Sequence, residues 1–394
     1  MRVFLIAGEA SGDKLGGALM AGLRALQPKA TFQGVGGAAM AAEGLTSLFE
    51  MSELSLMGLA EVLPKYRALK RRIAQTAQAV LAARPDVLVT IDSPDFCLRV
   101  ARLVRAAGGT APRMVHYVAP SVWAWRPGRA AKMAKVIDHV LALLPFEPPF
   151  MEAAGMACDF VGHPVVAEPV PQAADVAALR GRLGLDGAAP LVLVLPGSRA
   201  GEIARLGPHL GGALGPVLSA HPGARVLVPA ARDVAGQVRD LVADWPGAPI
   251  LLDPRGRPVE AAEADKRAAF AAADVALATS GTVALELAAA DTPMVSAFDL
   301  NPLSRILVRH LIGRHPGALA TPDRGNLINI VTQSDVVPEF IGARCRSDLL
   351  ASGVLATLDR PDAQRAAMAE VMTALGRGGP DPGHRAAAAI LARL

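Results

Sequence analysis

The sequence predicts an α/β protein made of two doubly wound domains, and three observations carry that reading. Its apolar runs, such as Val87–Ile91 and Leu191–Leu195, are short and lack alternating polar residues. Both faces of such strands must be buried, as in a parallel sheet covered by helices. Helical patterns separate the runs. The runs also fall into two series with a break between them, which implies two βα domains in succession.

In the first series, strands are expected at 3–7, 87–91, 114–118, 140–144 and 160–161, with helices at 12–26, 96–107 and 128–136. In the second, strands are expected at 191–195, 226–228, 250–252, 275–278 and 294–297. Gly162-His163-Pro164 and the Pro/Ala-rich stretch 168–174 mark the boundary. The expected domains are therefore 1–165 and 166–345. Past about residue 345 only helical patterns remain, at 346–358, 361–376 and 382–394. This last segment, 346–394, is expected to pack back on the first domain or on a partner chain.

Composition narrows the function classes. The chain has 394 residues, of which 52% are apolar and 19% charged, enough for large cores and against wholesale disorder. Three scattered cysteines, Cys97, Cys158 and Cys345, suit neither a disulfide framework nor a zinc site and fit a reducing cytoplasm. The first apolar stretch is too short for a signal-peptide core. The longest uncharged run, 206–224, is broken by Gly and Pro and makes a poor membrane span. A protein that is soluble or peripherally attached is expected. Residues 1–165 hold 18 Lys+Arg against 13 Asp+Glu, and the remainder 22 against 23. The positive excess thus belongs to the first domain, where nucleic acid, an anionic membrane or a phosphorylated substrate would each account for it.

The chemistry-bearing motifs sit where strands end. Gly8-Glu9-Ala10-Ser11-Gly12-Asp13 follows the first strand and opens a helix, with Ser11 as a candidate N-cap. Gly34-Val35-Gly36-Gly37-Ala38-Ala39 matches a dinucleotide loop only weakly, and close backbone packing or substrate approach is the better reading. Asp92 and Asp95 in Ile91-Asp92-Ser93-Pro94-Asp95-Phe96 are a candidate general base and a candidate cap.

In the second half, Pro196-Gly197-Ser198-Arg199 brings backbone donors, a hydroxyl and a guanidinium together, which suits a diphosphate. Ser280-Gly281-Thr282 repeats that logic, and Glu286, one turn further on, could accept two ribose hydroxyls. Glu202 reads as an ordinary first-turn helix charge. Trp123 and Trp125 lie close together in a chain with only three Trp, as core packing or as a surface for sugars or acyl chains. Leu56, Met57, Leu59, Val62, Leu63, Tyr66, Leu69 and Ile73 recur at near-helical spacing with Lys65, Arg67, Lys70, Arg71 and Arg72 interleaved, and Pro64 is placed at the start of the regular helix. Such a stripe is either a core-facing amphipathic helix or a basic helix on anionic lipid.

Taken together, GEASGD (8–13), GVGG (34–37), MGLAEVL (57–63), IDSPDF (91–96), YVAPSVWAWR (117–126), LLPFE (143–147), GHP (162–164), LPGSR (195–199), SGTVALE (280–286) and GNLI (325–328) resemble the lipid-A-disaccharide synthases, inverting glycosyltransferases of the GT-B type (family 19). The resemblance runs in order over nearly the whole chain, except that 327–341 and Asp323-Arg324-Gly325 depart from the family pattern. It implies two Rossmann-like domains with a cleft between them and C-terminal helices crossing back.

The implied activity joins UDP-2,3-diacylglucosamine to 2,3-diacylglucosamine 1-phosphate (lipid X), releasing UDP in lipid A biosynthesis. No cofactor, metal or nucleic acid is implied. The implied location is cytoplasmic, peripheral on the inner face of the cytoplasmic membrane, and a homodimer is compatible with the family. By this resemblance Asp92, Glu9 and Arg199 are catalytic. Gly197, Ser198, Arg199, Ser280, Gly281, Thr282, Glu286 and Asn326 bind UDP. Met57, Leu59, Val62, Leu63, Tyr66, Trp123 and Trp125 face acceptor or lipid. Competing readings are a UDP-sugar epimerase on the same scaffold, an NAD-dependent oxidoreductase resting on 34–39, and a non-catalytic nucleotide- or lipid-binding protein.

Overall fold

The computed structural model describes the chain apart from residues 55–58, 109–110, 186, 188 and 301–317, and apart from the side chains of 59–66. It divides into two compact units, Met1–Ala167 with Leu375–Leu394, and Glu168–Ala374.

The first unit is built on six strands: β1 (Arg2–Ala7), β2 (Thr31–Val35), β3 (Val87–Ile91), β4 (Arg113–Tyr117), β5 (His139–Ala142) and β6 (Ala157–Phe160). They form one sheet in the order β2-β1-β3-β4-β5-β6, with every pair parallel. Between them run α1 (Ala10–Leu26), α2 (Ala38–Ala42), α3 (Leu59–Ala83), α4 (Pro94–Ala106), α5 (Gly128–Met133) and α6 (Pro148–Glu152). All five residues of β3 are buried, as its unbroken apolar sequence requires. One face of the sheet packs Phe4, Leu88 and Met114 against α4 and its neighbours. The other packs Leu5, Val89 and Val115 against α1. The helix α3 begins at Leu59, so Pro64 lies inside it instead of starting it.

The second unit repeats the plan with α7 (Ala173–Arg182), β7 (Leu191–Leu195), α8 (Ala200–Ala220), β8 (Arg225–Pro229), α9 (Ala235–Val242), β9 (Ile250–Leu252), α10 (Val259–Ala272), β10 (Val275–Thr279), α11 (Val283–Ala289), β11 (Met294–Phe298), α12 (Leu327–Thr332) and β12 (Glu339–Ile341). The sheet order is β12-β11-β10-β7-β8-β9, again parallel throughout.

The C-terminal segment 346–394 falls into two parts. The helices α13 (Ser347–Asp359) and α14 (Asp362–Ala374) pack within the second unit, on α8 and α11 respectively. The last helix, α15 (Pro382–Leu391), belongs to the first unit and lies along α1. Among the described residues no helix is long and apolar enough to cross a membrane.

In a doubly wound sheet, ligands bind beyond the carboxyl ends of the strands where the strand order reverses. The first sheet reverses between β1 and β3, and the second between β7 and β10. Those four strand ends carry GEASGD, IDSPDF, PGSR and SGT.

Candidate active site

In the first unit, Ala7 and Ile91 are register partners at the ends of β1 and β3. Glu9 and Asp92 lie just beyond them, on neighbouring strand tips. Asp92 and Ser93 both adopt left-handed backbone, with φ of 48° and 42°, and the Asp92 N–H donates to the Tyr117 carbonyl at 3.0 Å. Two consecutive non-glycine residues in that region are strained, and such strain gathers at functional sites. The two loops interlock closely: a Cβ added to Gly8 would come within 2.6 Å of the Ser93 hydroxyl. Both Glu9 and Asp92 reach solvent.

Other motif residues of this unit are scaffold. The N-cap of α1 is Glu9, not Ser11, and its side chain makes no capping bond. Asp13, in the first turn of α1, is buried. Its carboxylate accepts the N–H groups of Gly37 at 2.7 Å, Ala39 at 2.8 Å and Met40 at 3.1 Å. It therefore caps α2 from a distance, satisfying donors that a short helix leaves open. Gly34 lies so close to the Leu5 backbone that a Cβ would collide with it. The glycines at 34–37 thus serve close packing.

Trp123, expected to face acceptor or lipid, is instead buried at 7% exposure. Its indole N–H donates to Glu147 Oε1 at 3.2 Å, and its ring meets Phe146 edge-on at 5.4 Å. The other Glu147 oxygen accepts the Leu143 and Leu144 N–H groups at 3.2 and 3.0 Å. Burial pushes the Glu147 pKa up to about 7, against the pull of these three bonds. LLPFE thereby clamps the loop after β4 to the loop after β5. Trp125 stays half-exposed, with the Arg126 guanidinium 4.1 Å above its ring. Met57 lies outside the described residues, and Leu59, Val62, Leu63 and Tyr66 lie on α3 with side chains outside them.

His163 follows β6, and its Nδ1 accepts the Val165 N–H at 3.2 Å. Burial drives its pKa down to about 4. The ring is therefore neutral near pH 7, with the proton on Nε2.

The second unit holds a cavity of about 560 Å³ at its switch point. Gly197, Ser198 and Arg199 line one wall and Ser280, Gly281, Thr282 and Glu286 another. The chain leaves β7 through Gly197, whose φ of 112° favours glycine. It enters α8 with Arg199 as N-cap, so the helix presents its positive end to the cavity. The Arg199 side chain is exposed and has no ion-pair partner among the described residues.

Glu202 does more than its sequence position suggested. At the third helical position its carboxylate turns back toward the Ser198 and Arg199 N–H groups, while Arg199 as N-cap makes no side-chain bond in return. Burial raises its pKa against those bonds and the nearby Arg199 and Arg205 charges. A Cβ on Gly197 would collide with this carboxylate, so loop and cap are fitted to each other.

Glu286 pairs with Lys266 of α10, Nζ to Oε2, at 2.7 Å. Lys266 was not singled out from the sequence, although it is the one lysine after residue 135 in an arginine-rich chain. Asn326, expected to bind UDP, does not line this cavity. It is buried at 1% exposure and caps α12, accepting the Ile328 N–H at 2.9 Å. Glu339 on β12 accepts the Gly325 and Asn326 N–H groups at 2.7 and 2.8 Å. GNLI thus caps α12 beside the 280–282 loop, with 3.9 Å from Ser280 Oγ to a Cβ built on Gly325.

The profile of the Lipid-A-disaccharide synthetase family matches residues 3–379. The chain belongs to this family. It is 62% identical to the lipid-A-disaccharide synthase of Ruegeria pomeroyi, covering 100% of this chain and 96% of the relative. It is 47% identical to that of Rhodospirillum centenum, covering 99% and 94%. Among solved structures, the UDP-GlcNAc 2-epimerase of Neisseria meningitidis bound to UDP-GlcNAc superposes with a TM-score of 0.67 at 10% identity, covering 100% of this chain and 99% of that one. Acinetobacter baumannii MurG gives 0.52 at 12%, covering 100% and 99%. At those identities the likeness is one of fold, and it places the chain among GT-B architectures. The epimerase resemblance is therefore architectural, and the synthase family is a glycosyltransferase family.

Proposed function

We propose that this chain transfers 2,3-diacylglucosamine from UDP to lipid X with inversion, giving the lipid A disaccharide 1-phosphate and UDP. The observation that carries the residue assignment is Arg199 at the N-terminus of α8, exposed, without an ion-pair partner among the described residues, and lining a cavity that Glu286 also lines. In this reading a sugar hydroxyl of lipid X attacks the anomeric carbon as its proton passes to Asp92. The bond from that carbon to the β-phosphate oxygen breaks, and its electron pair leaves with UDP. Arg199 and the end of α8 stabilise the charge developing on the diphosphate. Glu286 accepts ribose hydroxyls, and Ser280 and Thr282 lie within reach of the same nucleotide. Glu9, on the neighbouring strand tip, helps position the acceptor.

The substrates are acylated, and the first domain carries the positive excess. We therefore place the enzyme on the inner face of the cytoplasmic membrane, held through the first part of the basic apolar stripe, residues 57–66, and half-exposed Trp125; the far end of the stripe, Leu69 and Ile73, packs in the core of the first unit.

The residue roles separate in one experiment. Asp92→Asn is expected to lower kcat by roughly 10²-fold or more while the Kd for UDP stays within about twofold. Arg199→Ala is expected to weaken UDP binding and lower kcat together, by roughly 10²-fold in kcat/KM. Near-normal turnover of Asp92→Asn removes it as the base, and unchanged UDP affinity in Arg199→Ala moves the diphosphate elsewhere.

A further inference from the structure

The pair between Lys266 and Glu286 joins α10 to α11 inside the cavity wall. Lys266 Nζ lies 2.7 Å from Glu286 Oε2, and 3.5 Å from Glu263 Oε2 one turn back on its own helix. Its ammonium also sits 5.7 Å from the centre of the Phe270 ring. Both partners are only partly exposed, at 32% and 27% of their side chains. Burial pulls the lysine's pKa down, but the surrounding glutamates, Glu286 first, hold it above the ordinary lysine value. The ammonium therefore stays charged and holds one carboxylate oxygen. The second, Oε1, makes no hydrogen bond to any described residue. Lysine is suited to this task, since it is a point charge that can hold one oxygen and leave the other open, whereas an arginine fork matches both.

We propose that Lys266 is a positioning residue that sets ribose over deoxyribose selectivity by fixing Glu286 with one oxygen presented to the nucleoside hydroxyls. This rests on the reading that the cavity takes UDP and that Glu286 meets its ribose. A site built to bond a hydroxyl rejects the analogue that lacks it, because its acceptor is then left without a partner. Freeing Glu286 from Lys266 should blunt that rejection without much change in the rest of the contacts.

The test is the ratio of the Kd values of UDP and 2′-deoxy-UDP, measured by calorimetry on the full-length protein. The intact protein is expected to prefer UDP by roughly tenfold or more. Lys266→Met should cut that preference at least about fivefold, chiefly by weakening UDP, with 2′-deoxy-UDP within about twofold of its original affinity. Glu286→Gln should do the same, and the double variant should lose no more than either single one. If Lys266→Met fails to fold, judged by its thermal transition, Lys266→Gln takes its place. A ratio unchanged in the lysine variant, or an equal loss for both nucleotides, overturns the positioning role. If Glu286→Gln itself leaves the ratio unchanged, the ribose assignment of Glu286 fails and takes this proposal with it. If neither nucleotide binds the intact protein, the cavity is not the UDP site.

Discussion

Buried carboxylates do two different jobs in this chain, and the difference lies in their partners. Asp13 receives three backbone N–H groups of a helix other than its own. Glu147 receives two backbone N–H groups and an indole, but under a heavier cost of burial. Its folded pKa of about 7 lies above the ordinary glutamate value of 4.5. The fold therefore binds this proton more tightly than the unfolded chain does. The resulting stabilisation is full below about pH 4.5 and is lost as the pH rises through about 7. Denaturant titrations should show Glu147→Gln lacking that loss, the gap to the parent between pH 5 and 8 being on the order of 3 kcal/mol. Parallel pH profiles for the two proteins would contradict it. Residue identities also explain what the sequence concealed. Asp92, Glu9, Arg199 and Glu286 stand out as candidates in the sequence because each lies at a strand end or in the first turn of the helix that follows. Asn326 reads in the sequence as a ligand contact, whereas the structure shows a buried side chain capping α12, and the two look alike in a sequence. Trp123 could be read two ways until its partner Glu147 was located.

At the scale of elements, the strongly apolar strands were legible almost to the residue: Val87–Ile91, Leu191–Leu195 and Ile250–Leu252 coincide with prediction. The short strand β12 was not, since Glu-Phe-Ile carries a charge that is explained only by its tertiary partners, the N–H groups of 325 and 326 and the Asn329 side-chain amide. The division of the C-terminal helices was also hidden. It depends on a contact between small residues distant in sequence: a Cβ on Gly22 would lie 2.6 Å from the Gly383 carbonyl, and a Cβ on Gly383 would collide with the Ala18 backbone. Close approach of α1 and α15 therefore requires glycine at the crossing. Gly383→Val is expected to push α15 off α1, lowering stability by about 1–3 kcal/mol. Limited trypsin digestion should then cut at Arg385 and Arg393 well before the rest of the chain. A digestion pattern and Tm like the parent's would mean the helices repack without strain.

For the whole molecule, the two sheets each place their motifs at the point where strand order reverses, β1/β3 in one and β7/β10 in the other. That placement follows from topology, which the sequence revealed only as two series of strands. It puts Glu9 and Asp92 at the switch point of the first unit, and Arg199 with the N-terminus of α8 at that of the second. The membrane reading belongs to this scale as well. Serines at Leu59, Val62 and Leu63 should reduce pelleting with anionic vesicles several-fold, and unchanged pelleting would assign the stripe to the core.

The most direct test of the account is UDP release from UDP-2,3-diacylglucosamine in detergent, measured with and without lipid X. Release that requires lipid X, matches the disaccharide formed and disappears in Asp92→Asn is the expected result. Release at the same rate without lipid X, or none while UDP still binds, would contradict it.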